Sequence, residues 1–96
     1  MKHLKVVVPW RAGLHLRPAA RLVEVGRKFR SKIVLSFGGK IADLRSILNI
    51  IALCGSMGAT LDLEVTGDDE QDAARAVEQV FASYDGGDSI DGSANV

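Results

Sequence analysis

The sequence predicts an α+β fold, an open-faced sandwich in which a four-stranded, mainly antiparallel sheet carries three helices on one face, in the order β-α-β-β-α-β-α. Three observations lead there. Several short stretches alternate apolar and polar residues with the period of a half-buried strand, most clearly Leu61, Leu63 and Val65 against Asp62, Glu64 and Thr66. Two longer stretches carry apolar stripes at helical spacing. A Gly38-Gly39 pair marks a two-residue hairpin, and the other strands are joined through helices.

In chain order, Leu4, Val6 and Val8 alternate with Lys5 and Val7 as a first strand that Pro9 stops. Trp10, Arg11 and Ala12 form a loop leading to Gly13, and Trp10 reads equally as partner-facing or as a cover over the sheet edge. From Pro18, the residues Ala19, Leu22, Val23, Gly26 and Phe29 make a helical apolar stripe, leaving Arg21, Arg27 and Lys28 to solvent. Ile33, Leu35 and Phe37 form a second strand that the hairpin turns into a short return strand, Lys40 to Asp43. Ser46 is placed to N-cap the next helix, because its hydroxyl can accept from a first-turn N–H. That helix, Ile47 to Leu53, is apolar nearly all round, which requires either burial on most sides or an apolar patch for a partner. Ile47 and Leu48 are the residues expected to be partly exposed for docking. Cys54 to Gly58 ends the helix. After the Leu61 to Val65 strand, Gly67-Asp68-Asp69 turns into a last helix with the stripe Ala73, Val77, Val80, Phe81 and Tyr84. Residues 1–84 read as one domain, and 85–96, rich in Gly, Asp and Ser and without a period, as a disordered acidic tail.

Ninety-six residues suffice for a single core but not for a deep catalytic cleft with a lid. No stretch approaches the roughly 20 apolar residues of a membrane-spanning helix, and the first residues do not lead into a signal-peptide core. A cytoplasmic protein is expected. The lone Cys54 cannot form an internal disulfide, and with no His, Lys or Arg beside it in sequence it reads as a small buried residue rather than a reactive thiol. The formal net charge is zero but unevenly placed. Lys2, Lys5, Arg11, Arg17, Arg21, Arg27, Lys28, Arg30 and Lys32 crowd the first third against Glu24 alone, whereas the last third is acidic. A balanced whole with few aromatics argues against nucleic acid as the main partner and for acidic protein surfaces docking near the basic end.

The most informative stretch is Gly13-Leu14-His15-Leu16-Arg17-Pro18-Ala19. Proline has a fixed φ and no N–H, which suits the first turn of a helix and places His15 at or just before its N-terminus. The unpaired first N–H groups and the positive end of the helix dipole favour an anion there. Leu16 and Arg17 would supply backbone N–H groups, Pro18 the helical start, and the Arg17 guanidinium a planar fork matched to phosphate oxygens. This is a nucleophilic imidazole beside a phosphate-sized cradle, with no metal or cofactor required.

That run resembles the active-site signature of the HPr family, the histidine phosphocarriers of the bacterial phosphoenolpyruvate-dependent sugar phosphotransferase system. Asp43-Leu44-Arg45-Ser46-Ile47-Leu48 is similar to the family's regulatory serine segment, at the family's spacing from the histidine, and the likeness extends over about residues 2 to 84. The resemblance implies that His15 accepts a phosphoryl group on Nδ1 from the phosphohistidine of enzyme I and passes it to enzyme II A components, with Arg17 neutralising charge in transit. Donor and acceptor in turn, such a chain is a phosphotransfer intermediate rather than a free-standing catalyst, and a monomer is its expected state. The resemblance also implies regulation at Ser46 by an HPr kinase/phosphorylase, with Ile47 and Leu48 helping to dock partners that include a transcriptional regulator. The sequence departs from the family pattern at Trp10-Arg11-Ala12, Leu16, Asn49 and Cys54. Two other readings stay open at this level: a relay regulating nitrogen or carbon metabolism without sugar transport, and a binding-only module of the same fold.

Overall fold

The structure is a computed structural model and describes residues 1–83. Its elements are β1 (Lys2–Val7), α1 (Leu16–Lys28), β2 (Lys32–Phe37), β3 (Lys40–Asp43), α2 (Ile47–Ala52), β4 (Thr60–Thr66) and α3 (Glu70–Ser83). The expected order holds throughout. Tyr84 and the acidic segment 85–96 lie outside the described residues.

The four strands form one sheet in the order β1-β4-β2-β3, and every pairing is antiparallel. The last strand in the sequence therefore lies between the first two, with Leu4 opposite Leu63 on one side and Leu35 opposite Leu63 on the other. Central placement explains why β4 has the sharpest alternation. Leu61, Leu63 and Val65 are fully buried, while Thr60, Glu64 and Thr66 are exposed. Each large aliphatic side chain so buried contributes about 1.5–3 kcal/mol relative to exposure.

The helices cover the face that carries those residues. Leu22 of α1, Ile50 of α2 and Val77 of α3 join Val6, Ile33, Leu35 and the β4 residues in one core. The other face bears ionic side chains: Lys5 Nζ meets Asp62 Oδ1 at 2.7 Å, and His3 Nε2 lies 3.7 Å from the same oxygen. The Lys5 ammonium, first through its hydrogen bond and then its charge, holds the Asp62 carboxyl below its ordinary value. Val7 and Ile41 are also exposed on this side of the chain, so the solvated face is not wholly polar.

Two connections depend on particular residues. Gly26 lies in the last turn of α1, where a Cβ would sit 3.2 Å from the carbonyl oxygen of Leu44. Its missing side chain allows α1 to lie close against the segment leading into α2. Asp69, just before α3, accepts from the N–H groups of Arg30 at 2.9 Å and Ser31 at 3.0 Å and from the Ser31 hydroxyl. This carboxylate ties the start of α3 to the α1–β2 connection, and those three donors hold it below the usual carboxylate range.

Trp10 is neither partner-facing nor a surface cover. It is 1% exposed and packs its ring against Phe81 of α3, with centroids 5.0 Å apart. Cys54 also differs from expectation: it is exposed, with φ of 57°, because it ends the turn after α2 in a left-handed conformation that turns its side chain away from the core.

Candidate functional site

His15 is the N-cap of α1, with extended backbone angles of −91° and −170°, and its side chain makes no capping hydrogen bond. The approach to it is a chain of tight turns. The N–H of Gly13 donates to the carbonyl of Trp10 at 2.9 Å, and that of His15 to the carbonyl of Gly13 at 2.8 Å. Gly13 has φ of +72°, and a side chain on it would strike the carbonyl oxygen of Gly55, so glycine is required there on two counts.

The turn does not stand alone. Leu14 N–H donates to Gly55 O at 2.8 Å, Val8 N–H to Ala59 O at 2.9 Å, and Gly58 N–H to Val8 O at 2.8 Å. The loop after α2 is thus laced to the loop before α1, and Leu14 beneath them is buried. Sequence reasoning treated residues 54–58 only as a helix end. Their role in bracing His15 comes from contacts about forty residues apart, which no local pattern signals.

The helix start offers donors rather than acceptors. The first helical hydrogen bond runs from Ala19 N–H to His15 O at 3.1 Å. Pro18 has no N–H, so Leu16 and Arg17 hold the free donors of the first turn. Among the described residues neither is paired, and the exposed Arg17 guanidinium makes no ion pair. The imidazole is half-buried, and its Nε2 is buried without a hydrogen-bond partner. A nucleophilic nitrogen must reach its electrophile, so the burial of Nε2 makes Nδ1 the candidate atom for attack. An anion attached there would lie within the field of the helix N-terminus and the arginine.

Ser46 occupies the other predicted position. It is the N-cap of α2, its hydroxyl accepting from Asn49 N–H at 3.3 Å and its carbonyl from Ile50 N–H at 3.1 Å. Leu48 is 74% exposed and Ile47 half-buried, so the apolar surplus of α2 does leave a surface patch. Leu16 and Met57 are further large apolar residues left exposed, and Met57 lies in the loop that braces His15. Arg45, beside Ser46, was not singled out from sequence. It reaches back to cap the end of α1, its guanidinium donating to Phe29 O at 3.0 Å and Ser31 O at 3.4 Å.

His15 and Ser46 are not brought together. The end of α2 leads to Gly55 and the His15 loop, whereas its start is held to the far end of α1 by Arg45 and by the close Gly26–Leu44 approach. The six residues of α2 run between these two anchor points, about 9 Å of helix. Among the described residues no helix is long and apolar enough to cross a membrane, and no cluster of His, Cys, Asp and Glu could hold a metal.

Known proteins share both sequence and fold. The family described as the PTS HPr component phosphorylation site matches residues 2–83. The chain is 39% identical over 71 residues to a phosphocarrier protein HPr of Treponema pallidum, covering 74% of this chain and 81% of that one. It is 32% identical over 77 residues to the HPr of Xylella fastidiosa, covering 80% and 86%. The crystal structure of an HPr from Thermoanaerobacter tengcongensis superposes with a TM-score of 0.82 at 35% identity, over 86% of this chain and 93% of that one. Fold and relatives together define a small phosphocarrier of the phosphotransferase system. The chain belongs to the HPr family.

Proposed function

We propose that His15 carries a phosphoryl group between enzyme I and enzyme II A components in sugar uptake. The observation that carries this reading is the placement of a half-buried imidazole, its Nε2 buried, at a helix start whose donors are unpaired among the described residues. Attack by the neutral imidazole on the phosphohistidine of enzyme I forms a new N–P bond as the old one breaks. The Leu16 and Arg17 N–H groups and the Arg17 guanidinium stabilise the charge on the transferring oxygens. The same contacts serve the return step to enzyme II, so the chain acts as an intermediate, and a monomer presents one face to each partner in turn. That exchange takes place in the cytoplasm.

Ser46 is the regulatory position, taken by an HPr kinase/phosphorylase. A phosphate there adds about −1.5 to −2 charge beside Ile47 and Leu48. At a helix N-terminus it is tolerated electrostatically, so it alters docking to enzyme I and to a transcriptional regulator without unfolding α2.

Incubation with enzyme I and phosphoenolpyruvate, followed by mass spectrometry and an acid wash, tests the reading. One acid-labile phosphate on the parent and none on His15→Ala is expected. Failure to label a chain that is folded by circular dichroism, while a standard HPr is labelled in parallel, would refute it.

A further inference from the structure

A groove of about 260 Å³ runs between α1 and α3, away from His15. Val25 and Phe29 of α1 and Ala76 and Val80 of α3 form its apolar part, and Arg21, Lys28 and Gln79 its polar part. Arg17, Arg21 and Lys28 fall within about 40° of one another around a helix of 3.6 residues per turn, so the basic residues continue as a ridge toward the start of α1. Arg21 is also bonded to Glu24 at 3.0 Å, and Lys28 is exposed.

The chain itself contains a segment of matching chemistry. Beyond the described residues, 85–96 holds Asp85, Asp88 and Asp91 and no Lys or Arg, with Ile90 its large aliphatic residue, between Asp88 and Asp91. Position agrees with composition: Val80, in the groove lining, is within one turn of Ser83, the last described residue of α3. From Ser83 to Ile90 is seven residues, a reach of at most about 25 Å when extended, enough for Ile90 to return to the groove. Tethering supplies an effective concentration in the millimolar range, so weak contacts suffice.

We infer that the segment 85–96 docks in the α1–α3 groove of its own chain, with Ile90 on the apolar part and Asp88 and Asp91 against Arg21 and Lys28. Seated there, it covers the basic side of α1, and acidic partner surfaces that approach that side compete with it.

The test compares the full chain with its Asp88→Asn/Ile90→Ser/Asp91→Asn variant by heteronuclear NMR. Contacts between the Ile90 methyls and those of Val25 and Val80 are expected in the parent and lost in the variant. Backbone resonances of Val25, Lys28 and Ala76 shift between the two, while those of Asp62 and Glu64 on the opposite sheet face do not. Lys28→Glu, or salt raised to about 0.5 M to shorten the screening length, moves the parent toward the variant. Absence of Ile90 contacts, with groove resonances identical in parent and variant, overturns the inference. So does concentration dependence of the contacts, which assigns the groove to a second copy's segment.

Discussion

The N–H of Leu14 donates to the carbonyl oxygen of Gly55 at 2.8 Å, and by that bond the residue before His15 is held by the loop that follows α2. The geometry requires Gly13 beside it to have no side chain and a positive φ. Gly13→Ala is expected to lose about 1–3 kcal/mol of stability from backbone strain alone. It should also slow phosphorylation, because the clash with Gly55 moves the His15 loop. Urea unfolding and the labelling rate with enzyme I measure the two effects.

Arg17 is exposed and, among the described residues, unpaired, so their packing does not depend on it. Arg17→Ala should leave stability within about 0.5 kcal/mol of the parent. Phosphoryl transfer should slow by about 10²–10³, the usual effect of removing one preorganised charge stabiliser. Arg17→Lys keeps the charge but not the planar fork and should fall between them. Rapid-quench labelling reads the rates, and a stability loss in Arg17→Ala would assign the residue to the scaffold instead.

The Ser46 hydroxyl caps α2 through Asn49 N–H. Ser46→Ala should therefore cost about 1 kcal/mol of stability. It should leave labelling of His15 intact, since among the described residues the Ser46 hydroxyl bonds only within the first turn of α2 and the loop that braces His15 follows the other end of that helix. Ser46→Asp retains the capping oxygen and adds charge, so it should restore stability while weakening acceptance from enzyme I.

Asp69 sets a pH dependence. Its carboxyl is held below its ordinary value of 3.8, first by the Ser31 hydroxyl and then by the Arg30 N–H. A folded-state value below the unfolded one means that the stabilisation is complete above the unfolded value and disappears as pH falls through the folded one. Asp69→Asn should be less stable than the parent at neutral pH, and the difference should close below pH 3.8. Urea midpoints across that range measure it.

Trp10 is the protein's single tryptophan and is packed on Phe81. Trp10→Ala should cost about 3–5 kcal/mol, the range for deleting a buried large aromatic. In the parent, a red shift of tryptophan emission should coincide with loss of helix on unfolding. Emission already at its unfolded maximum in the native protein would contradict the burial of Trp10.

Much of this architecture was legible locally. Alternation revealed the strands because β4 and its neighbours bury one face only, and a residue's side of the sheet follows from its parity along the strand. Pro18 and the free donors behind it marked the start of α1, and Ser46 marked that of α2, because capping is decided within four residues. The apolar excess of Ile47 to Leu53 correctly implied exposure at Leu48, since a six-residue helix packed on one side cannot bury all its faces.

What escaped was decided by pairs distant in the chain. Trp10 was ambiguous because its partner, Phe81, is 71 residues away and only the packing of α3 brings them together. Cys54 looked core-like by composition, yet the turn it closes directs it outward. The bracing of His15 by Gly55, the clamp of Asp69 on Ser31 and the cap of Arg45 on α1 likewise join segments no periodicity connects. The sequence by itself determined the order and type of the elements and the capping positions of His15 and Ser46, because those depend on neighbours within a turn. Only the tertiary structure decided which loops hold the histidine, which nitrogen of its ring is buried and which end of α1 the start of α2 is held against, because burial and orientation depend on atoms supplied by the rest of the chain.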